Sequence, residues 1–415
     1  MRIALLSYRS KPHVGGQGIY LRHLSRELVA LGHEVELFSG QPYPELDEGV
    51  TLTKVPSLDL YRNPNSIRAT WPRGWRDLTD AQEWLIQASG GFPEPRTFSQ
   101  RVMKLLARRA GDFDVVLDNQ TLDPALLGVL DLGLPLVTEI HHPITMDRRV
   151  DLAAARNPYR KWGVWRWYGF VKRQAKAARR VPWVLVPSES SRRDVVREFG
   201  IDPARVRVAM LGATDGFVPP TGPRVPGRLL AMASADAPMK GISTLLEAVA
   251  KLRTEREIEL VLVTRPKEGG PTERLINRLG IADIVRFVSG ISDDELVRLM
   301  GSAEVACVPS LYEGFSLPTV ELMSCATPLV VSRAGAIPEV VGPDGLCADL
   351  VTPGDAEELA AALRALLDDP ERRARYGAAG RARALELFSW RAAAERTLDV
   401  LQEAIDAFAE KKEQH

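Results

Sequence analysis

Short apolar runs alternate along the whole chain with longer segments in which apolar residues recur every three or four positions. The first run, Ile3 to Ser7, has the length of a buried strand. The segment behind it carries Tyr20, Leu21, Leu24, Leu28 and Leu31 on one helical face. It stops at Gly32, a residue free to take the left-handed conformation that closes helices. Further strands are predicted at Glu34–Phe38, Val115–Asp118, Leu134–Glu139 and Trp183–Pro187. After a stretch rich in Pro and Gly, Gly212–Pro226, the pattern restarts. Strands are then predicted at Arg228–Met232, Glu259–Val263, Val285–Val288, Val305–Val308 and Pro328–Ser332, each followed by a helix. The tail from Glu371 to Glu410 reads as helix. Strand–helix alternation builds parallel sheets, because a parallel partner strand needs a crossover and a helix supplies it. The chain is therefore expected to be α/β, with two Rossmann-like halves facing a central cleft. Their expected bounds are 1–215 and 216–388, with a last helix, 389–415, packing back toward the first half. Between Pro56 and Thr97 the periodicity is weak, and Trp71, Trp75 and Trp84 stand among several Pro and Gly. This stretch reads as an insertion.

Composition narrows the class. At 415 residues the chain exceeds one ordinary core, and 45% apolar with 26% charged residues is a globular balance. Lys+Arg and Asp+Glu both total 54, which argues against a dedicated nucleic-acid binder. The apolar run at Ile3 is too short for a signal peptide, and no uncharged stretch is long enough to span a bilayer. A cytoplasmic protein is expected. Cys307, Cys325 and Cys347 have neither metal-ligand nor disulfide-framework spacing and are expected to be buried packing residues.

The chemistry concentrates in the segment Pro309 to Glu321, whose sequence is PSLYEGFSLPTVE. It follows a predicted strand and opens a predicted helix, with Ser316 as the expected N-cap and Pro318 in the first turn. Such a turn offers free backbone N–H groups and the positive end of a helix dipole, which suit a diphosphate or sugar hydroxyls. Glu313 lies on the turn and Glu321 one turn inside the helix. A carboxylate accepts through two oxygens and matches the vicinal hydroxyls of a sugar or ribose.

This Glu-x7-Glu segment, with its internal Gly-Phe-Ser-Leu-Pro, resembles the signature of family 4 of the retaining glycosyltransferases. The resemblance extends to the opening strand, Gly15-Gly16-Gln17-Gly18 and the helix ending at Leu31-Gly32-His33. It takes in Pro187 to Arg192, Val285–Leu299, Ser332–Gly345 and Phe388-Ser389-Trp390, and it is weakest across residues 40–110. It implies the GT-B fold, with the acceptor on the first half and a nucleotide-sugar donor on the second. It also implies transfer of a hexosyl group with retained configuration, by front-face attack and without a metal or other cofactor. Glu313 would contact the transferred sugar and Glu321 the donor ribose. The backbone of Gly314, Phe315, Ser316 and Leu317 would hold sugar and diphosphate. Lys240 would neutralise the leaving diphosphate, Val288 and Ser289 would face the base, and Gly15 and Gly16 would line the donor. Of the paired histidines, His141 is favoured by strand alignment as the one facing the reacting sugar.

One departure stands out. The arginine that the family carries five residues before the phosphate lysine is Ala235 here, with Asp236 beside it. Arg265, just after the strand Glu259–Val263, is the expected substitute. The departure leaves open a non-catalytic sugar-nucleotide-binding relative; a GT-B nucleotide-sugar 2-epimerase is the other alternative.

The donor is expected to be a UDP- or GDP-linked sugar, and the acceptor a small molecule, a glycan or a lipid-linked acceptor. His142, Asp147, Arg148 and Arg149 are the candidate acceptor residues. Tyr159–Arg180 interleaves aromatic with basic residues. It reads either as a helix packing its aromatics inward or as a peripheral membrane contact.

Overall fold

The computed structural model describes residues 1–11, 16–62, 74–155, 157–213, 216–234 and 236–413. Gly15, Trp71 and Ala235 lie outside them. The chain divides into two compact units. One is Met1–Met210 together with Trp390–His415, and the other is Leu211–Ser389.

The first unit is built on a parallel sheet. Its strands are β1 (Arg2–Ser7), β2 (Glu34–Ser39), β3 (Val50–Lys54), β4 (Val115–Asn119), β5 (Leu136–Glu139), β6 (Trp183–Val186) and β7 (Val206–Val208), in the order β3-β2-β1-β4-β5-β6-β7. The central β4 is buried at every position, as a strand with helices on both faces must be. The two strands of this unit that the sequence pattern does not predict, β3 and β7, are its sheet edges; the unpredicted strand Ala348–Val351 is likewise an edge in the second unit. β3 is half exposed and mixed in polarity, and β7 has three residues, so neither carries a strong apolar signal.

The Pro56–Thr97 stretch has a definite structure where it is described. Helix Leu78–Ala88, capped by Asp77, lies beside helix Glu94–Arg109. Asp80 and Glu83 are buried between them and paired by Arg101, with Arg76 also on Asp80 at 2.8 Å. Inward-facing carboxylates replace the apolar residues that a helical pattern would show, which explains the weak periodicity.

The tail is two helices, Pro370–Leu387 and Trp390–Glu413, interrupted at Phe388 and Ser389. The last one belongs to the first unit. Its Trp390 stacks on His23 at 5.1 Å, and Glu403 pairs with Arg207 at 2.7 Å.

The second unit holds β8 (Val225–Met232), β9 (Glu259–Val263), β10 (Val285–Val288), β11 (Ala303–Val308), β12 (Leu329–Ser332) and β13 (Ala348–Val351). They are parallel, in the order β10-β9-β8-β11-β12-β13. Helices Ile242–Leu252 and Ala356–Asp368 pack their Leu and Ala faces on this sheet. Arg224 is anchored by donating to the carbonyls of Gly301 and Ala303, each at 2.9 Å, and of Ala326 at 2.6 Å. The three cysteines are free and buried. Among the described residues, no helix is long and apolar enough to cross a membrane.

Candidate functional site

In a parallel sheet all strands end at one edge, and the loops leaving that edge form the ligand site. In the second unit those loops bring together much of the sequence-predicted set. Lys240 closes the turn Pro238–Lys240 in the connection from β8. Gly241, at φ +63°, begins the following helix. A Cβ on Gly241 would stand 1.9 Å from the carbonyl oxygen of Pro309, at the end of β11, so only glycine lets these backbones meet. The Leu311 amide then donates to the Met239 carbonyl at 2.8 Å. This main-chain contact brings Lys240 Nζ to 2.8 Å from Glu313 Oε1, which also accepts from Ser310 Oγ at 2.7 Å.

Glu313 is also fixed through its backbone. Gly335, at φ +53° in the connection after β12, lies so close that an added Cβ would be 2.1 Å from the Glu313 carbonyl oxygen. The Ala336 amide donates to that oxygen at 2.9 Å. The Glu313 side chain is 12% exposed and that of Lys240 33%. The result is a partly shielded cation whose counter-charge can yield to an incoming anion.

Ser316 occupies the cap position of helix Leu317–Ser324, but not as a conventional cap. Its backbone is left-handed, at φ +87°, and its hydroxyl pairs with Thr319 Oγ1 at 2.7 Å instead of a backbone amide. That twist leaves the first N–H groups of the helix without a side-chain cap. Phe315 packs edge-on against Phe388 at 5.6 Å. Glu321 lies one turn in and is partly exposed at its surface. Its dense surroundings push the carboxyl up to about 7, with a smaller push from Asp293. Val288 ends β10 and Ser289 follows it, and Arg265 follows the end of β9, exposed. Asp236 is turned away from anion chemistry. It accepts from the amides of Lys267 (2.7 Å) and Thr272 (3.3 Å), which hold its carboxyl below the usual range despite partial burial.

In the first unit the same edge carries the histidines. His141 Nε2 is 2.7 Å from Asn119 Oδ1, and its ring meets Tyr20 edge-on at 4.8 Å. Glu139, fully buried, receives the Tyr20 hydroxyl and lies 3.6 Å from His141 Nδ1. Burial raises the Glu139 carboxyl well above its ordinary range. It also lowers the His141 imidazole to about 3, His142 adding to the effect, so His141 is neutral. Gln120 bridges the two loops from a left-handed backbone, φ +54°. It accepts from the His141 amide at 2.7 Å and donates to the His142 carbonyl at 3.0 Å. His142 pairs with Asp147 at 2.9 Å. Arg149 is drawn to Glu198 at 2.6 Å, and Arg148 is half buried. Gly16 opens the helix Gly16–Ala30. Gly18, two residues on, leaves no room for a Cβ beside the Lys11 carbonyl.

Sequence reading missed Ser310, Asn119, Gln120, Glu139 and Tyr20. The first three follow or end strands at the ligand edge, a positional signal that was available. Glu139 and Tyr20 were read as strand and helix-face residues, and nothing local marks their pairing across 119 positions.

Comparison with known proteins gives a consistent picture. Residues 14–212 match the family model described as Glycosyltransferase Family 4, and residues 219–383 the model Glycosyl transferases group 1. The chain is 57% identical over 406 residues to the MMP alpha-(1->4)-mannosyltransferase of Mycolicibacterium hassiacum, covering 98% of each. Among solved structures, sucrose-phosphate synthase from Thermosynechococcus elongatus matches with TM-score 0.74 at 22% identity, covering 98% of this chain and 99% of that one. Anabaena HepE, solved in complex with UDP-glucose, matches with TM-score 0.67 at 16% identity, covering 99% and 100%.

Proposed function

This chain belongs to glycosyltransferase family 4 and is a glycosyltransferase of GT-B fold; from that premise we propose that it moves a mannosyl group from a nucleotide diphosphate sugar to a glycoside hydroxyl, with retention and without a metal. The donor sugar is read from the relative that is 57% identical and named an alpha-mannosyltransferase. Nucleotide-activated mannose carries an α-linked sugar, so an α-linked product means retention. GDP is the expected nucleotide. UDP remains the alternative, since the structurally similar HepE was solved with UDP-glucose.

The observation that carries the reading is Lys240 beside Glu313 on a turn of uncapped helix amides. The leaving diphosphate needs positive charge where it departs, and an ammonium with backbone N–H groups supplies it in place of a metal. Glu313, loosened from Lys240 by the arriving diphosphate, accepts from the sugar hydroxyls. Glu321 meets the ribose. In front-face attack a phosphate oxygen of the leaving group takes the proton of the acceptor hydroxyl, so no protein nucleophile is needed. Arg265 supplies the second cation in place of the family arginine. On the first unit, His141 faces the reacting sugar, and His142, Asp147, Arg148 and Arg149 lie toward the acceptor. The reaction is expected in the cytoplasm.

The test is thermal stabilisation by guanosine, uridine and adenosine diphosphates and their mannose or glucose esters, with magnesium or with chelator. Binding to the folded state alone raises Tm, by about 2.7 kcal/mol of stability at a hundredfold excess over Kd. Stabilisation by one nucleotide family, unchanged by chelator and followed by mannosyl transfer to a mannoside, supports the proposal. Loss of binding or transfer on chelation, or no response to any nucleotide, overturns it.

A further inference from the structure

The segment from Pro158 to Ser188 contains eight Lys and Arg and no Asp or Glu. The sequence pattern leaves two readings of Tyr159–Arg180, one long helix with its aromatics turned inward or a peripheral membrane contact. The structure differs. Two helices, Pro158–Trp167 and Val171–Ala178, are joined by the short turn Tyr168–Phe170. The aromatics sort into two groups. Trp167 and Phe170 close on Phe92, with centroids at 5.3 and 5.0 Å, and serve as packing. Tyr159, Trp162 and Trp165 do not: they are 82%, 55% and 55% exposed. Their spacing of three places them along one face of the first helix.

Large aromatics held in water at regular spacing mark a contact surface. The charge around them indicates what they meet. Arg160 and Lys161 are exposed on the same helix. Lys172, exposed on the second helix, holds its ammonium 5.7 Å from the Trp165 ring, which joins the basic face of one helix to the aromatic face of the other. The neighbouring helix Leu78–Ala88 is tied on through Arg166 and Ser89 and shows Leu85 to solvent at 59% exposure. The carboxylates of that helix, Asp80 and Glu83, are buried and taken by Arg76 and Arg101, so none of its charge opposes the basic surface.

The helix Thr145–Ala154, packed on the first of these helices, carries Asp147 and Asp151, but Asp147 is taken by His142 at 2.9 Å and Asp151 accepts from the Tyr168 hydroxyl at 2.7 Å. Exposed tryptophan and tyrosine flanked by lysine and arginine is the pattern that suits the headgroup region of an anionic bilayer. We propose that the face formed by Tyr159, Trp162, Trp165, Lys161 and Lys172 docks this enzyme reversibly on an anionic membrane surface. The aromatics seat at headgroup depth and the cations meet lipid phosphate. This holds whichever sugar the enzyme transfers.

The test uses the full chain and vesicles of phosphatidylcholine, with or without about one quarter phosphatidylglycerol. Flotation and the tryptophan emission maximum report binding. Expected are partition onto the anionic vesicles only, a blue shift in emission, and weakening as salt rises. Neutralising Lys161→Gln or Lys172→Gln should weaken partition about fivefold each. The pair Trp162→Ala with Trp165→Ala should abolish the blue shift. Circular dichroism and donor turnover unchanged in these variants separate lost docking from lost fold. Equal partition onto both vesicle types, no partition onto either, or unchanged partition in all variants overturns the proposal. So does a tryptophan response to soluble mannosides without any to vesicles, which would assign this face to glycan.

Discussion

Replacing Lys240 by Met separates a lysine that carries chemistry from one that only completes an ion pair. The variant keeps most of the aliphatic stem and removes one charge. The structural loss is bounded. Glu313 keeps its bond from Ser310 and its backbone anchor at Ala336, and the lysine is one-third exposed, so solvent screens the pair. About 1 kcal/mol of stability is expected to go. For a unit of this size that lowers Tm by about 2–4 °C. The chemical loss is larger if the ammonium faces the departing diphosphate. Removing one donor aimed at developing charge lowers kcat by about 10²–10³, or ~3–4 kcal/mol. The assay is release of nucleoside diphosphate with and without a mannoside acceptor, beside a thermal melt of the same protein. Glu313→Gln and the double variant complete the cycle. If the lysine acted only by holding Glu313, Lys240→Met would cost nothing once Glu313 is already Gln. A kcat for Lys240→Met within about threefold of the parent, at any Tm, would refute the leaving-group role.

Three further outcomes follow from the geometry. The Glu321 carboxyl titrates near 7 when folded, against an ordinary value of 4.5, so the native state holds a proton that the unfolded chain has released. The stability of the parent therefore falls as pH rises from about 4.5 to about 7, and Glu321→Gln should gain on it over that window. Parallel melts at pH 5 and 8 with the same difference would sink this assignment. Gly335→Ala should cost at least ~2 kcal/mol, since it combines left-handed backbone with a Cβ 2.1 Å from the Glu313 carbonyl oxygen. Donor turnover should fall with it, and an unaltered melt would mean the loops are looser than described. Gln120→Ala should free both histidine loops and raise the KM for acceptor more than that for donor, and equal changes would count against an acceptor-side role.

Much of this was legible in the sequence. Central strands such as β4 and β11 announce themselves because burial on both faces demands short apolar runs, here Val115–Leu117 and Val305–Val308. The Glu313–Glu321 segment was legible for another reason. A strand end, a glycine, a proline in the first helical turn and two carboxylates are all local. Non-local pairings were not legible. Nothing around Tyr20 announces Glu139, and nothing around Gly241 announces Pro309, since each contact is set by how the sheet closes. Ser316 illustrates a third limit. Its residue type and position predicted a hydroxyl cap, whereas the left-handed backbone sends the hydroxyl to Thr319. The polar pair Asp80 and Glu83 hid the helix Leu78–Ala88 from any argument that equates burial with apolarity.

The first unit is stitched from both ends of the chain. Trp390, Leu401 and Ala404 are buried in it, on a helix that packs against Gly16–Ala30, although the whole second unit is encoded between the two helices. During synthesis the first unit therefore waits for its closing helix until the whole second unit has been translated. Until then the surface that helix covers is open to chaperones and proteases. A lesion in the last two dozen residues would register as misfolding near residue 20, not as damage at the end of the chain.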